Sequence, residues 1–314
     1  MRVWIALGIV YVVWGSTYLG IRVTVETMPP LLAGGARFAL AGALMWIAIA
    51  ARRGPRAAGL SRRELLSCSL VGLGLVAGGN GLVMVAEQDV PSGLAALIMA
   101  AIPLWVVLFR RLTGERIGLA TLLGVAAGFS GVALLLLPGG GGAHVRIGPL
   151  LIVVGASLSW SIGTFLSPRL PMPRDPFLST AAQMLVGGVV AAAAGLALGE
   201  AGDVHLGAFS ARSWVAFAGL VLIGSLVAFT AYTWVLQHAP VSTVATYAFV
   251  NPVVAVFLGW IVLGERVSGM VLVAAAVIVG SVAVIVRCEG GASSGAPEDR
   301  DPGPRPAPGE PLAT

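Results

Sequence analysis

The amino-acid sequence contains an internal repeat, and this repeat restricts the fold more than any other feature. Residues of the first half recur in the second half at one constant offset: Gln88 with Gln237, Pro91 with Pro240, and Pro103 with Pro252. After a slip of one residue, the tripeptide Gly-Glu-Arg at 114–116 recurs at 264–266. Because repeats determine the architecture, they have to be found before a fold is assigned. The sequence therefore predicts two related halves.

The composition predicts that both halves lie in a membrane. Of 314 residues, 57% are hydrophobic and 11% are charged, whereas soluble domains carry roughly 25% charged residues. A helix that crosses the hydrocarbon core of about 30 Å needs roughly 20 apolar residues. Ten such stretches occur, near 3–25, 31–51, 65–86, 91–110, 117–137, 147–167, 177–199, 213–236, 241–262 and 268–287. Alternation with a period of two is absent, so we predict an all-α membrane protein rather than a β-barrel.

The number of spans in each half has a geometric consequence. Because five is odd, the second half crosses the membrane in the opposite direction to the first. We therefore predict ten transmembrane helices arranged as two inverted five-helix repeats, at 3–137 and 147–287. Residues 288–314 are rich in Gly, Pro and acidic side chains and cannot build a core, which predicts a disordered cytoplasmic tail.

The distribution of arginine predicts the orientation. All 19 basic residues are arginines, and an excess of positive charge in short loops marks the cytoplasmic side. With the N-terminus inside, twelve lie on the inner side before the tail: Arg2, Arg52, Arg53, Arg56, Arg62, Arg63, Arg110, Arg111, Arg116, Arg169, Arg174 and Arg287. Five lie toward the outside: Arg22, Arg37, Arg146, Arg212 and Arg266. Both termini are therefore predicted to be cytoplasmic, and the basic charge does not indicate a nucleic-acid partner.

Several short motifs resemble a known family. They are Trp-Gly-Ser-Thr-Tyr-Leu-Gly-Ile-Arg at 14–22, Gly-Asn-Gly at 79–81, Ala-Glu-Gln at 86–88, Pro-Ser-Gly at 91–93 and both Gly-Glu-Arg tripeptides. Together they resemble the drug/metabolite transporter (DMT) superfamily, EamA type, over about residues 3–287. The resemblance implies a ten-helix carrier with a central substrate cavity and alternating access. Members of the family move amino acids, other metabolites, dyes or drugs.

We therefore expect a secondary transporter in the cell membrane that exports small metabolites, amino-acid-like or amphipathic, with drugs as a further cargo class. Its expected partners are a small-molecule substrate, the lipid bilayer, and either a coupling proton or an exchanged solute. The sequence leaves cargo, direction, coupling and oligomeric state open. No cofactor or metal is expected.

The first span carries a stripe of candidate site residues: Trp14, Tyr18, Arg22 and Glu26. At four-residue spacing these side chains share one helix face. The aromatic rings could stack on a substrate, and Arg22 could bind its charge or gate the outer mouth. The alternative is an interfacial aromatic belt with an Arg22–Glu26 pair. In the second half, Trp160 and Thr164 of span six are the counterparts of this motif.

Spans two and three supply polar candidates. Arg37, which corresponds to Gln183 in the repeat, either extends to the membrane edge or pairs with an anionic group. Asn80 falls in the middle of span three, where an amide is costly unless it lines a polar path. Glu87 lies at the outer end of that span, either solvated or available as a proton carrier.

The second half adds Trp234 on span eight and a stripe with Tyr247 and Asn251 on span nine. Hydrogen bonding between helices is the alternative for these side chains. Pro103 and Pro252 fall within spans four and nine, where proline kinks a helix, and we predict either a hinge near the site or a static packing kink.

The glutamates of the Gly-Glu-Arg motifs, Glu115 and Glu265, are predicted to be structural. Each would pair with the adjacent arginine or cap the following span.

Three other functions compete with this interpretation. A membrane enzyme would need a nucleophile with a base or a set of metal ligands, yet His144, His205 and His238 lie in separate loops. We therefore predict that the protein is not an enzyme. A sensor or scaffold would usually carry a folded soluble module, and none is evident. A carrier of lipid-linked cargo would have a laterally open groove with an aromatic rim.

Overall fold

The computed structural model describes residues 1–137, 146–239, 241–244 and 246–294. The repeat residue Pro240, the loop residue His144 and the predicted tail beyond Ser294 lie outside the described residues.

Within the described ranges, nine helical segments are long and apolar enough to cross a membrane. We number the spans in chain order: Arg2–Thr24, Pro30–Arg53, Arg62–Ala86, Ser92–Leu112, Leu119–Leu136, Ile147–Arg169, Pro176–Ala197 and Ala211–Leu236 are spans 1 to 8, and Gly269–Cys288 is span 10. A shorter apolar helix, Tyr247–Leu263, is span 9. The predicted ten-helix membrane fold is confirmed.

Span 10 is part of a longer helix, Gly269–Ser294, which continues beyond residue 287. The sequence places the start of a disordered tail at residue 288, so the structure corrects the beginning of that segment.

Two pairs of equivalent spans from the two halves pack closely against each other. Span 2 packs on span 7, and span 5 packs on span 10. The first of these contacts is close because glycines face each other. A Cβ added to Gly35 would lie 2.4 Å from the backbone nitrogen of Ala192, and one added to Gly188 would lie 2.4 Å from that of Ala39. Small residues allow helix backbones to approach at this distance.

Spans 3 and 8 contain π-helical segments at matching places. The segment in span 3 is Leu73–Asn80, between α-helices Arg62–Gly72 and Gly81–Ala86. The segment in span 8 is Leu220–Val227, between Ala211–Gly219 and Ala228–His238. π-Helical turns occur frequently at functional sites, and hydropathy does not predict them.

Spans 4 and 9 are interrupted at places that differ between the halves. Span 4 consists of Ser92–Met99 and Ile102–Leu112, and Pro103 is the second residue of the second helix. Proline is tolerated there because the first turn of a helix has no acceptor for its missing N–H. Pro252 lies inside Tyr247–Leu263, after a separate short helix Val241–Val244. The two prolines therefore do not mark equivalent breaks.

Candidate substrate site

A cavity of about 80 Å³ lies between the two halves, bordered by spans 1, 2, 3, 4, 6, 8 and 9. The structure brings seven predicted site residues to its wall: Trp14, Tyr18, Arg37, Asn80, Trp160, Tyr247 and Asn251. The remaining lining residues are Thr17, Ile21, Phe38, Val83, Met99, Ile102 and Phe229. Polar and aromatic side chains from both halves of the sequence, from Trp14 to Asn251, therefore converge on one space.

Aromatic rings form one side of this cavity around Trp14. The centroid of its ring lies 4.9 Å from that of Phe229, 4.8 Å from Tyr232 and 5.2 Å from Tyr247. Pairs at these separations stabilise each other beyond the area they bury. The stripes predicted from sequence include Trp14 and Tyr247 but neither Phe229 nor Tyr232. The repeat points to Phe229, which stands in place of Asn80 at the offset of the paired prolines, as a position that differs between the halves.

Arg37 supplies the positive charge of the cavity. Its side chain is 2% exposed, so it does not extend to the membrane edge. The Nε atom donates a hydrogen bond of 3.0 Å to Ser225 Oγ, in the π-helical segment of span 8. The guanidinium carbon lies 4.5 Å from the centroid of the Phe38 ring. The Nη1 atom has no hydrogen-bond partner, and a buried charged donor is costly when it is left unpaired.

Two amides contribute further polar groups. Asn80 donates from Nδ2 to the carbonyl oxygen of Leu75 at 3.3 Å, within the π-helical segment of span 3. The amide nitrogen of Asn251 donates to the carbonyl oxygens of Tyr247 and Tyr11 at 3.3 and 3.2 Å. Each amide is anchored to a helix backbone and still faces the cavity.

Glu87 lies at the end of span 3 and is 0% exposed. This burial shows that the solvated alternative is wrong. Among the described residues, neither of its carboxylate oxygens has a hydrogen-bond partner. Arg22 donates from Nη1 to the backbone carbonyl of Glu87 and, at 2.6 Å, to that of Gln88. Arg22 therefore holds the end of span 3 instead of forming the alternative pair with Glu26. The nearest charged atom to Glu26 belongs to Arg212, at 3.9 Å.

Two carboxylates hold helix starts on this same side of the protein. Glu265 accepts hydrogen bonds from the backbone N–H groups of Ser92 and Gly93, at 2.7 and 3.1 Å. Negative charge is favourable at a helix N-terminus, and here it joins the end of span 9 to the start of span 4. The expectation that Glu265 caps the following span is wrong. Glu200 holds the start of span 2 in the same way, through the N–H groups of residues 31 and 32.

Glu115, on the opposite side of the protein, binds arginine side chains rather than the backbone N–H groups of a helix. It accepts from Arg110 Nε and from Arg169 Nη2, each at 2.7 Å. These partners are not the adjacent arginine of its motif. The hydrogen bond from Arg110 lowers the pKa of the Glu115 carboxyl, and the charges of Arg110 and Arg169 lower it further. Glu115 is thus an inter-span ion-pair residue, whereas its repeat counterpart Glu265 caps a helix.

Four predicted site residues do not border the cavity: Arg22 and Glu87, whose contacts are given above, and Thr164 and Trp234. Thr164 is exposed and donates to the carbonyl oxygen of Trp160 at 3.0 Å. Trp234 stacks on His238 with ring centroids 4.0 Å apart. It borders a separate apolar groove, which is lined by Ala6, Phe177, Leu226, Val227, Thr230, Ala231 and Trp234.

Known proteins resemble this chain over most of its length. A model of the EamA-like transporter family matches residues 2–137 and 147–287. The uncharacterized inner membrane transporter YedA of Escherichia coli strain K12 is 39% identical over 282 residues, or 89% of each chain. A protein of the same strain named "probable amino-acid metabolite efflux pump" is 25% identical over 281 residues, or 86% of this chain and 90% of its own. A protein of known crystal structure matches with a TM-score of 0.58 at 22% identity, over 89% of this chain and 94% of that one.

Ten spans in two halves, with an internal polar and aromatic cavity, define the class of an integral membrane transporter. The chain belongs to the EamA-like transporter family, whose model matches both halves. The resemblance seen in the short motifs is therefore confirmed. The protein is a multi-pass inner-membrane protein, and its family and relatives are transporters rather than enzymes.

Proposed function

We propose that this protein is an alternating-access secondary transporter that exports small amino-acid-like or amphipathic metabolites across the cell membrane. The observation that carries the proposal is the cavity between the halves, whose lining combines the Arg37 guanidinium with the aromatic rings around Trp14. Such a site fits a small molecule with a polar charged end and an apolar body. The name of the amino-acid metabolite efflux pump relative agrees with this substrate class.

The size of the cavity supports a moving carrier rather than an open channel. A space of about 80 Å³ is far below the 300–1,000 Å³, approximately, of pockets that enclose drug-sized ligands. The walls must therefore move before a metabolite can enter. The interrupted spans 4 and 9 and the π-helical segments of spans 3 and 8 provide irregular backbone where such movement can occur.

Two ion pairs support the proposed grouping of span ends into two faces, while the cytoplasmic assignment of one face rests on the distribution of arginine. Arg53 pairs with Asp175, and both belong to span ends assigned to the inner face. Arg146 pairs with Asp89 at 3.3 Å, and both belong to the outer face.

Among the described residues, none that borders the apolar groove at Trp234 also borders the cavity. This separation favours a central substrate site over a lateral site for lipid-linked cargo.

Glu265 is proposed to keep the outer face closed, and its replacement by glutamine is expected to open that face more often. A charge at a helix N-terminus stabilises it by roughly 1 kcal/mol, or about a fivefold change in an equilibrium. A cysteine placed at Thr17, with Cys68 and Cys288 replaced by serine, would report opening through its reaction with a membrane-impermeant thiol reagent. In right-side-out vesicles we expect the rate to rise about fivefold in Glu265→Gln.

The matched control is Glu26→Gln, because Glu26 lies on the same face and has only the 3.9 Å contact with Arg212. An equal increase in this control, or no increase in Glu265→Gln, would contradict the assignment of Glu265 to the outer gate.

The proposed function is tested first in cells and then with purified protein. Metabolites outside cells that express the protein are compared with those outside cells that lack it. Each enriched compound is then tested for uptake into liposomes that contain the purified protein. We expect at least one compound to cross chemically unchanged and to saturate. Chemical conversion of a bound compound without its transport would replace the carrier with an enzyme.

A further inference from the structure

Two buried charged groups have unused hydrogen-bonding capacity within the described part of the chain. Arg37 of span 2 borders the cavity and has no partner for Nη1, while Glu87 follows span 3, does not border the cavity and has no partner for either carboxylate oxygen. The two side chains interact electrostatically, yet neither satisfies the other's missing hydrogen bonds. Buried charges in membrane proteins are costly, and they commonly mark ion or proton pathways.

The surroundings of Glu87 contain four other titratable or charged groups. Arg22 and Tyr18 come from span 1, Arg37 from span 2, and Glu265 from the connection after span 9. Glu87 itself lies beyond span 3, which ends at Ala86. Burial raises the pKa of its carboxyl well above the usual range, Glu265 raises it further, and Arg22 and Arg37 oppose the increase. The protonated, neutral form of Glu87 is therefore favoured.

The net charge of Glu87 and its charged neighbours predicts the charge of the ligand. With Glu87 neutral, Arg22 and Arg37 contribute two positive charges and Glu265 contributes one negative charge. The four groups together carry a net charge of +1, and one anion beside Arg37 would neutralise it. If Glu87 were ionised, the same anion would leave the group with an excess negative charge.

We propose that Glu87 is the proton-binding residue of the carrier and that its protonation is coupled to the binding of a carboxylate substrate at Arg37. This inference rests on the proposed transport function. The ionised Glu87 carboxylate accepts one proton from a hydronium ion, whose O–H bond breaks to leave a water molecule, and no other bond forms or breaks. Coupling is reciprocal: the bound anion strengthens proton binding by Glu87, and the proton strengthens anion binding at Arg37. One carboxylate and one proton therefore bind together.

The sign of the pH dependence follows from this coupling. Anion affinity is highest at pH values where Glu87 is protonated in the empty protein. It falls as the pH rises through the titration of the empty site, and it levels off once the occupied site has also lost its proton.

Infrared spectroscopy of the full-length protein in lipid nanodiscs tests the proton site without a known substrate. A buried protonated carboxyl gives its own C=O stretching band. We expect this band in the wild type at low pH, its loss as the pH rises, and its absence in Glu87→Gln. Glu87→Asp should restore a titrating band, and Glu26→Gln should keep the wild-type band. A wild-type protein without such a titrating band would overturn the proposal.

Phenylacetate and phenylacetamide form a matched pair of probes for the anion, since they share an aromatic ring and differ in charge. Phenylacetate should move the titration of the band to higher pH, and phenylacetamide should leave it in place. The shift should disappear in Arg37→Gln. A titration that phenylacetate does not move would overturn the coupling to a carboxylate.

Failure of this inference is distinguishable from failure of the proposed function. A carrier that moves its metabolite at the same rate on both sides of the Glu87 titration would retain the function and exclude the coupling. A titrating Glu87 band in a protein that transports nothing would exclude the function.

Discussion

Replacement of Arg37 by glutamine is expected to reduce transport about tenfold or more. Arg37 is the only charged residue among those that border the cavity in the described part of the chain. A hydrogen bond to a charged group contributes roughly 1.5–3 kcal/mol, or about ten- to a hundredfold in binding. The loss should appear as a reduced initial rate of metabolite uptake into liposomes at substrate concentrations below saturation.

Two other variants complete this test: one separates the charge of Arg37 from the shape of its guanidinium, and the other is a surface control. Arg37→Lys keeps the charge but loses the planar fork that binds a carboxylate through two hydrogen bonds, so its rate should be intermediate. Arg146→Gln is the matched surface control, since the Arg146 side chain is 77% exposed and pairs only with Asp89 in the described structure. A wild-type rate in Arg37→Gln would mean that the substrate does not bind in this cavity.

Replacement of Gly188 by valine is expected to separate spans 2 and 7 and to destabilise the whole protein. A Cβ at this position would lie 2.4 Å from the backbone nitrogen of Ala39 and 2.7 Å from the carbonyl oxygen of Gly35. Neither atom can move without its helix. Overpacking costs roughly 1–3 kcal/mol, which corresponds to a decrease of about 5 °C in the unfolding midpoint Tm. Thermal unfolding in detergent, followed by the fraction of monodisperse protein, measures this change.

Gly280→Val in span 10 is the matched control, because a Cβ at Gly280 would meet nothing within 4 Å. Its Tm should stay close to that of the wild type. Equal decreases in both variants would show that valine disturbs any membrane helix of this protein, and the close contact of spans 2 and 7 would then lose its significance.

The sequence was sufficient for the architecture because two strong signals agree. Apolar runs of about 20 residues locate the spans independently of tertiary contacts, and the repeat at Gln88 and Gln237 relates the halves. Residues on the stripes of spans 1 and 9, such as Trp14 and Tyr247, reach the cavity because helical spacing alone determines which side chains share a face.

Other features depend on contacts that are distant in sequence. Glu265 caps a helix whose first residues lie 172 and 173 positions earlier, and no local pattern relates them. The burial of Glu87 likewise results from packing of several spans around a helix end. The π-helical segment Leu73–Asn80 has the same apolar composition as a regular helix, so hydropathy cannot distinguish the two. Tyr232 was not predicted, because a tyrosine at the membrane interface and one packed on Trp14 are identical in sequence.

The most direct test of the central claim combines transport with occupancy of the cavity. The metabolite identified from cells is supplied to liposomes containing the Thr17→Cys protein that lacks its native cysteines, and both uptake and the reaction of this cysteine with a thiol reagent are measured. We predict that the metabolite crosses unchanged and that it protects the cysteine over the same concentration range in which uptake saturates. Saturating uptake with no protection at residue 17 would contradict the account, because the transported molecule would then bypass the cavity.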